Sequence, residues 1–460
     1  MKILAIETSC DETSIAIAEF SGPKSRARAR VFSHIVSSQV KLHAKYGGVV
    51  PNLARREHEK NLVPILLEAL ADLPRTKKAK YEVRSTRYEK ILPQTSNLLS
   101  RPYDFVDLDS LLEREAELLD AFKQHISQLK APDIDAIAVT NGPGLAPALW
   151  VGVNFAKALA LLWDKPLIPV NHMAGHLYSA LLDAKPRNPN VEVLIPKLDP
   201  PLRGNDKKEK KSDRSKKKVL LSDDDANHKL QTTNYSLQTI RFPAIALLVS
   251  GGHTELVLMR GHGKYKILGE TLDDAAGEAF DKVARILGLG YPGGPEIAKQ
   301  AQSEKCKAKS NNAKLTTLRL PRPMMHSKDY NFSFSGLKTA VLYLVRDLTT
   351  QGVSLRAMRP AIANEFQNAA DDVLVKKTIR AAKEHNAKTV LLGGGVAASI
   401  ALQQELRQRI AQELPAFGFR SPASGLAGDN ALMIAAAAYF TGKKKAPTSV
   451  RAEPHLRLES

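Results

Sequence analysis

The chain has 460 residues, enough for two or three domains around a sizeable core, and its 43% hydrophobic and 25% charged content is that of a globular protein. It contains no run of about 18 apolar residues, so no membrane-spanning helix is expected. Its two cysteines, Cys10 and Cys306, exclude a disulfide framework and a cysteine-rich zinc module. The formal net charge of +19, from 67 Lys+Arg against 48 Asp+Glu, favours a polyanionic partner, nucleic acid first.

Ile3–Ile6 and Ser14–Ala18 read as two strands of a hairpin joined by Glu7–Thr13. Lys60–Leu73 and Leu108–Leu129 carry apolar residues at helical spacing, and the mixed basic stretch between them, about 75–107, reads as an insert. Ile134–Thr140 is a short buried strand closed by Asn141-Gly142-Pro143-Gly144, and Ala148–Trp163 is the helix that follows. Residues 190–240 read as a disordered basic insert. Its lysine-rich run, Lys197 to Lys218, lacks aromatics and cannot bury enough apolar surface to offset the entropy of ordering. A second hairpin begins at Pro243. After it come a helix around Ala275–Leu287, a turn at Tyr291–Pro295, and a long helix over Met358–Ala382. Val390–Leu392 is a strand ending in Gly393-Gly394-Gly395, and an alanine-rich helix runs from Gly428-Asp429-Asn430 through Phe440. Strands alternating with helices mark the α/β class.

The two hairpins resemble each other: an apolar run, a small-residue turn with an acid or a histidine, then a second apolar run. Turn one is Glu7-Thr8-Ser9-Cys10-Asp11-Glu12-Thr13, and turn two is Leu248-Val249-Ser250-Gly251-Gly252-His253-Thr254. Backbone N–H groups and small hydroxyls in such turns can line an anion site. Each turn is also readable as an ordinary hairpin loop. Between them lie His172 and His176, four residues apart and so on one helical face, which makes two ligands for a metal. Asp429 is the candidate third ligand, with helix capping as its plainer role. Met173 stands where zinc proteases of the HExxH type carry their general-base glutamate, so that mechanism is absent. Asp274, Glu278 and Asp281 fall at helical spacings. Acids there can hold ribose hydroxyls or a metal, or complement a helix dipole. The three glycines at 393–395 suit a flat adenine or ribose on bare backbone, or simply a flexible turn.

Taken together, the motifs resemble the universal tRNA threonylcarbamoyladenosine transferase family in its bacterial and mitochondrial branch. The matching stretches are IETSCDETS, YGGVVPNLARREH (Tyr46–His58), TNGPGLAPALWVG, VNHMAGH, LLVSGGHTEL, TLDDAAGEAFDKVARILGLGYPGGP, FSFSGLKTA, GGGVAAS and GDNALMIAAAAY. The resemblance implies the ASKHA architecture, the duplicated two-lobed α/β fold of actin and the sugar kinases with a nucleotide cleft. Lobe I would take 1–189 plus about 425–445, and lobe II would take 241–424. By motif, the resemblance implies one divalent metal ion, zinc or iron, on His172, His176 and Asp429. It implies an adenylate phosphate region lined by Leu248, Val249, Ser250, Gly251 and Gly252, and nucleoside contacts from Asp281 and Gly294. A last contact falls on Ser399, where the family pattern has asparagine. Leu248 stands where the archaeal and cytosolic branch can place a tyrosine, which points to the bacterial and organellar branch.

The implied reaction is acyl transfer. The exocyclic amine of the adenosine 3′ of the anticodon, in tRNAs reading ANN codons, attacks the carbamoyl carbon of threonylcarbamoyl-AMP and expels AMP. The implied partners are tRNA, threonylcarbamoyl-AMP and the enzyme that makes this adenylate, with a homodimer also open. Asp11 and Glu12 are candidates for the general base by location only. An ATPase or small-molecule kinase on the same fold is the competing reading, although such enzymes hold magnesium mainly through carboxylates and phosphates. A metallopeptidase is a third reading and a non-catalytic RNA-binding scaffold a fourth. Branch and basic inserts lead to the expectation of a mitochondrial protein whose leader is missing from this chain, otherwise of a cytoplasmic one.

Overall fold

The computed structural model describes residues 1–73, 109–183, 227–229, 233–311 and 318–458. The insert expected near 75–107 and the lysine-rich run at 197–218 lie outside the described residues.

β1 (Lys2–Glu7), β2 (Glu12–Ser21) and β3 (Arg28–Ser38) form an antiparallel meander. α1 (Val40–Ala44), α2 (Pro51–Ala71) and α3 (Ala116–His125) follow, and β4 (Ala136–Gly142) then pairs parallel with β1. α4 (Ala146–Leu162) leads to β5 (Leu167–Asn171), parallel to β4, and directly into α5 (His172–Ser179). At the other edge, β7 (Asn227–Lys229) and β8 (Thr233–Leu237) pair with β3, and β6 (Leu182–Asp183) pairs with β8.

The second half repeats this plan. β9 (Ala244–Val249), β10 (Thr254–Gly261) and β11 (Lys264–Glu270) form a meander, and β12 (Thr389–Gly393) and β13 (Gly418–Arg420) join β9 in parallel. The order β5-β4-β1-β2-β3 is matched strand for strand by β13-β12-β9-β10-β11. The duplication is therefore topological as well as sequential. Lobe II carries α6 (Ala276–Ile286), α7 (Gly293–Asn311), α8 (Ser335–Thr350), α9 (Leu355–Glu384) and α10 (Ile400–Glu413), and the chain then returns to the first sheet with α11 (Ala431–Thr441).

Both sheets are buried on both faces, and the two faces differ in side-chain size. Small residues of the first sheet (Ala5, Ala16, Ala18, Ala136, Ala138) and of the second (Ala244, Ala246) face a shared central core. The bulky alternates Leu4, Ile6, Ile15 and Ile17 pack outward against α2 and α4, and Ile245, Leu247, Val249 and Leu256 pack outward in lobe II. Strand periodicity of two sends alternate residues to opposite faces, so this alternation decides which helices can approach closely. The space on the small face is filled by α5 and α11, both buried along almost their whole length.

The structure differs from the sequence reading at several places. Residues 233–237, expected to be disordered within 190–240, form a strand between β3 and β6 with Tyr235 and Leu237 buried in the central core. Tyr and Leu at alternate positions supply one apolar face, which the lysine-rich neighbours obscure. β3 is a third strand that its exposed Arg28 and Arg30 disguise, while Ala29 and Val31 between them are buried. α2 begins at Pro51 rather than Lys60, because proline suits a first helical turn. Beyond the expected end of lobe I at about 445, Val450 and Leu458 still pack into cores with the first sheet. No described helix is long and apolar enough to cross a membrane.

Gly175 fixes how near α5 and α11 come. A Cβ there would lie 2.8 Å from Ile434 Cδ1 and 3.1 Å from Met433 Cγ. Gly175→Val is expected to lower stability by about 1–3 kcal/mol through overpacking. Denaturant unfolding checks this, and an unchanged midpoint would refute the close-crossing account.

Candidate metal centre and nucleotide cleft

Asn171 ends β5 and caps α5. Its Oδ1 accepts hydrogen bonds from Met173 N at 2.8 Å and Ala174 N at 3.1 Å. The cap makes His172 the first helical residue and puts His176 one turn below it, so both rings project to the same side. Asp429 lies just ahead of α11. The capping role considered for it belongs instead to Asn430, whose Oδ1 accepts from Met433 N at 3.0 Å. Asp429 is thereby released toward the histidines.

Asp429 Oδ1 lies 3.1 Å from His176 Nε2 and 3.5 Å from His172 Nε2, and the candidate ligand atoms all fall within 4.8 Å of one another. Ligands bonded at about 2.1 Å in tetrahedral or octahedral geometry sit about 3.0–3.4 Å apart, a spacing that the two His–Asp distances approach, so a small inward shift of the histidines gathers this donor set on a single divalent ion. His176 is fully buried, and neither of its ring nitrogens has a hydrogen bond of acceptable geometry, the state of an imidazole oriented as a ligand. Zinc or iron suits two imidazoles and a carboxylate.

Behind His172 stands a support from turn one. Its Nδ1 lies 3.1 Å from Ser9 Oγ and 3.3 Å from Glu7 Oε2, which leaves Nε2 for a metal. Glu7 is itself fixed by Ser9 N at 2.6 Å and Thr140 Oγ1 at 2.5 Å. Burial disfavours charge on His172, but Asp429 and Glu7 outweigh it and raise the imidazole to about 9. Burial would likewise push the Asp429 carboxyl up, yet His172 and His176 hold it well below the usual range. Across the cleft, burial and then the charges of His172 and His176 press His253 of turn two down to about 4. The second hairpin therefore faces the first across the centre.

The expected phosphate-lining residues divide. Leu248 and Val249 are fully buried, with side chains in the central core and the lobe II core respectively. Ser250, Gly251 and Gly252 form the tip, and a Cβ on Gly251 or Gly252 would meet nothing within 4 Å. Asp281 Oδ1 accepts from Gly293 N at 2.7 Å, which brings it beside Gly294 at the start of α7, where a Cβ would also meet open space. Of the three glycines after β12, a Cβ on Gly393 or Gly394 would run into the backbone carbonyls of His176 and Val249, while Gly395 is open. Among these three, Gly395 is the position with open space where a side chain would stand. Ser399 caps α10, with its Oγ accepting from Leu402 N at 3.3 Å, so its hydroxyl oxygen is already engaged. Asp274 and Glu278 are ion-paired to Lys282 at 2.7 and 2.8 Å, whereas Asp281 makes no ion pair among the described residues and has one oxygen bonded to Gly293 N. Asp11 is buried, and burial followed by Asp429 raises its carboxyl. Glu12 is raised further by burial and Asp11, and its Oε1 accepts from Ser38 Oγ at 3.2 Å.

The sequence pattern of one protein family, TsaD: tRNA N6-adenosine threonylcarbamoyltransferase, matches residues 30–80, 115–196 and 227–436. The chain belongs to this family. It is similar along its whole length to the tRNA N6-adenosine threonylcarbamoyltransferase of Thermomicrobium roseum, at 38% identity over 100% of this chain and 96% of the relative. The protein of the same name from Thermosipho africanus is 36% identical over 100% of both chains. That of Bacillus subtilis is 35% identical over 100% of this chain and 96% of the relative.

Sequence reasoning did not single out Glu7, Ser9 and Thr140 as the support of His172, nor His58. The His58 ring bridges Thr13 Oγ1 at 2.7 Å and the Cys10 carbonyl at 3.0 Å, and so braces turn one from α2. Glu7 did carry a signal, because an acid ending an otherwise apolar buried strand needs partners. His172→Ala and Asp429→Ala are each expected to abolish stoichiometric zinc or iron binding while the far-ultraviolet spectrum is preserved. Elemental analysis after gel filtration reads this, and full metal content in the double variant would refute the ligand assignment.

Proposed function

We propose that this chain transfers the threonylcarbamoyl group from threonylcarbamoyl-AMP to N6 of the adenosine 3′ of the anticodon in tRNAs reading ANN codons. The observation that carries the reading is the His172–His176–Asp429 cluster, set between two facing hairpin turns in a chain of this family. A divalent ion held there supplies positive charge against the negative charge that develops on the acyl donor. Glu7, Ser9 and Thr140 keep His172 in register for that role. The open backbone at Ser250, Gly251 and Gly252 suits the adenylate phosphate, and the Asp281 oxygen not taken by Gly293 suits a ribose hydroxyl. These contacts fix the carbamoyl carbon for attack by the tRNA amine. Asp11 is the better candidate to take the amine proton. Its raised carboxyl lies beside Asp429 in turn one, whereas Glu12 is bonded to Ser38. AMP then departs as the anion and needs no proton.

The same reading includes dependence on zinc or iron, supply of the donor by an adenylate-forming partner enzyme, and a mitochondrial setting drawn from the branch that Leu248 favours. A peptidase or kinase reading has no comparable support in the cluster.

The test incubates tRNA with ATP, threonine, bicarbonate, the adenylate-forming enzyme and this chain, followed by mass spectrometry of the nucleosides. Threonylcarbamoyladenosine is expected, with Asp429→Ala lowering its formation about 100-fold or more. ADP release from ATP with no modified nucleoside would instead support the kinase reading.

A further inference from the structure

We propose that Tyr46 is a stacking platform for an unpaired base of the tRNA anticodon loop, presented at the mouth of the cleft. The proposal rests on the tRNA reading above and assigns a positioning residue for it. Tyr46 is 63% exposed. Among the described residues its ring meets no other ring and no cation, whereas the exposed Trp150 and Tyr343 are covered by Arg114 at 5.2 Å and Arg346 at 5.0 Å.

The backbone beneath the ring is held from both lobes. Tyr46 N donates to His43 O at 2.9 Å, Gly47 N donates to Ala44 O at 3.2 Å, and the Arg285 guanidinium of lobe II donates to Gly47 O. Gly47 has φ +67°, and a Cβ there would lie 3.0 Å from Arg285 Nη2, so glycine is required for this latch. Arg285 is one turn along α6 from Asp281. On the other side, His43 Nε2 lies 3.1 Å from Gln39 Oε1, and Gln39 N donates to Asp11 O of turn one at 2.9 Å. Tyr46 therefore sits on a segment tied at one end to turn one and at the other to α6 of lobe II. A ring on a fixed backbone loses little freedom when a base settles on it.

The chain on either side of Tyr46 carries cations that suit a nucleic acid. Lys41, Lys45 and Arg56 are exposed, and none has an ion-pair partner among the described residues. Their neighbours Arg55 and Lys60 are paired with Glu59 at 2.7 Å and Glu57 at 3.0 Å. Single-stranded RNA is recognised by aromatic rings under splayed bases with cations along the phosphates. Bringing the target adenosine into the cleft removes it from the loop's stack and uncovers its neighbour. Tyr46 replaces the lost stack.

The experiment uses the full chain and an anticodon stem-loop RNA carrying 2-aminopurine next to the target adenosine, titrated by fluorescence. The native chain and Tyr46→Phe are expected to quench the probe and bind alike. Tyr46→Leu is expected to lose the quench and bind about 5- to 150-fold more weakly, the range for one lost base–aromatic stack. Its metal content and unfolding midpoint should be unchanged. Tyr46→Leu binding and quenching as the native chain does would overturn the platform while leaving the tRNA reading intact. Equal losses in the Phe and Leu variants would also overturn it, in favour of a hydroxyl contact. A native chain that binds no RNA would defeat the tRNA reading and the platform together.

Discussion

α5 and α11 lie side by side between two sheets whose facing surfaces include a run of alanines (Ala5, Ala16, Ala18, Ala136, Ala138, Ala244 and Ala246), and the cleft chemistry depends on that packing. Larger residues on the inner faces would hold the helices away from the sheets, and a side chain at 175 would hold them apart from each other. The histidines lie in the first turn and a half of one helix and Asp429 just ahead of the other, so the helix crossing sets the distance between ligands. Precision at the centre is thus built from two buried helices, with Glu7 and Ser9 of the buried turn one holding His172 from behind.

The electrostatics argue in the same direction. Glu7 and Asp429 are two carboxylates at one buried centre, and imidazoles that are neutral as ligands offset neither of them. Burying charge is costly unless it is paired. The arrangement leaves unbalanced negative charge beside an imidazole, His176, whose Nδ1 has no partner and whose Nε2 faces Asp429 Oδ1 at 3.1 Å. A divalent cation relieves both conditions at once. The hydrogen bonds that Glu7 accepts from Ser9 N and Thr140 Oγ1, and the contacts of His172 Nδ1 with Ser9 Oγ and Glu7 Oε2, keep this centre organised without occupying the nitrogens that face it.

Much of this was legible in the sequence because it rests on local rules. The paired turns, the helical spacing of His172 and His176, and the glycine-closed strands follow from periodicity and turn chemistry, and the duplicated plan follows from their repetition. Asp429 was readable as a candidate, but its freedom from capping depends on Asn430 taking that role. The rest was hidden for tertiary reasons. β3 and β8 carry polar residues on one side and disclose their buried side only when paired. The first two of the three glycines after β12 proved to be packing positions because α5 and β9 press on them from elsewhere in the chain. The closure of Arg285 onto Gly47 joins residues 238 apart in sequence, beyond the reach of any local pattern.

X-ray absorption spectroscopy of the metal-loaded chain tests the central claim most directly. The account predicts a first shell of nitrogen and oxygen at about 2.0–2.2 Å, with the outer-shell scattering of two imidazoles that becomes one in His176→Ala. A sulfur at about 2.3 Å, which would bring Cys10 into the shell, or a shell without imidazole, would contradict it.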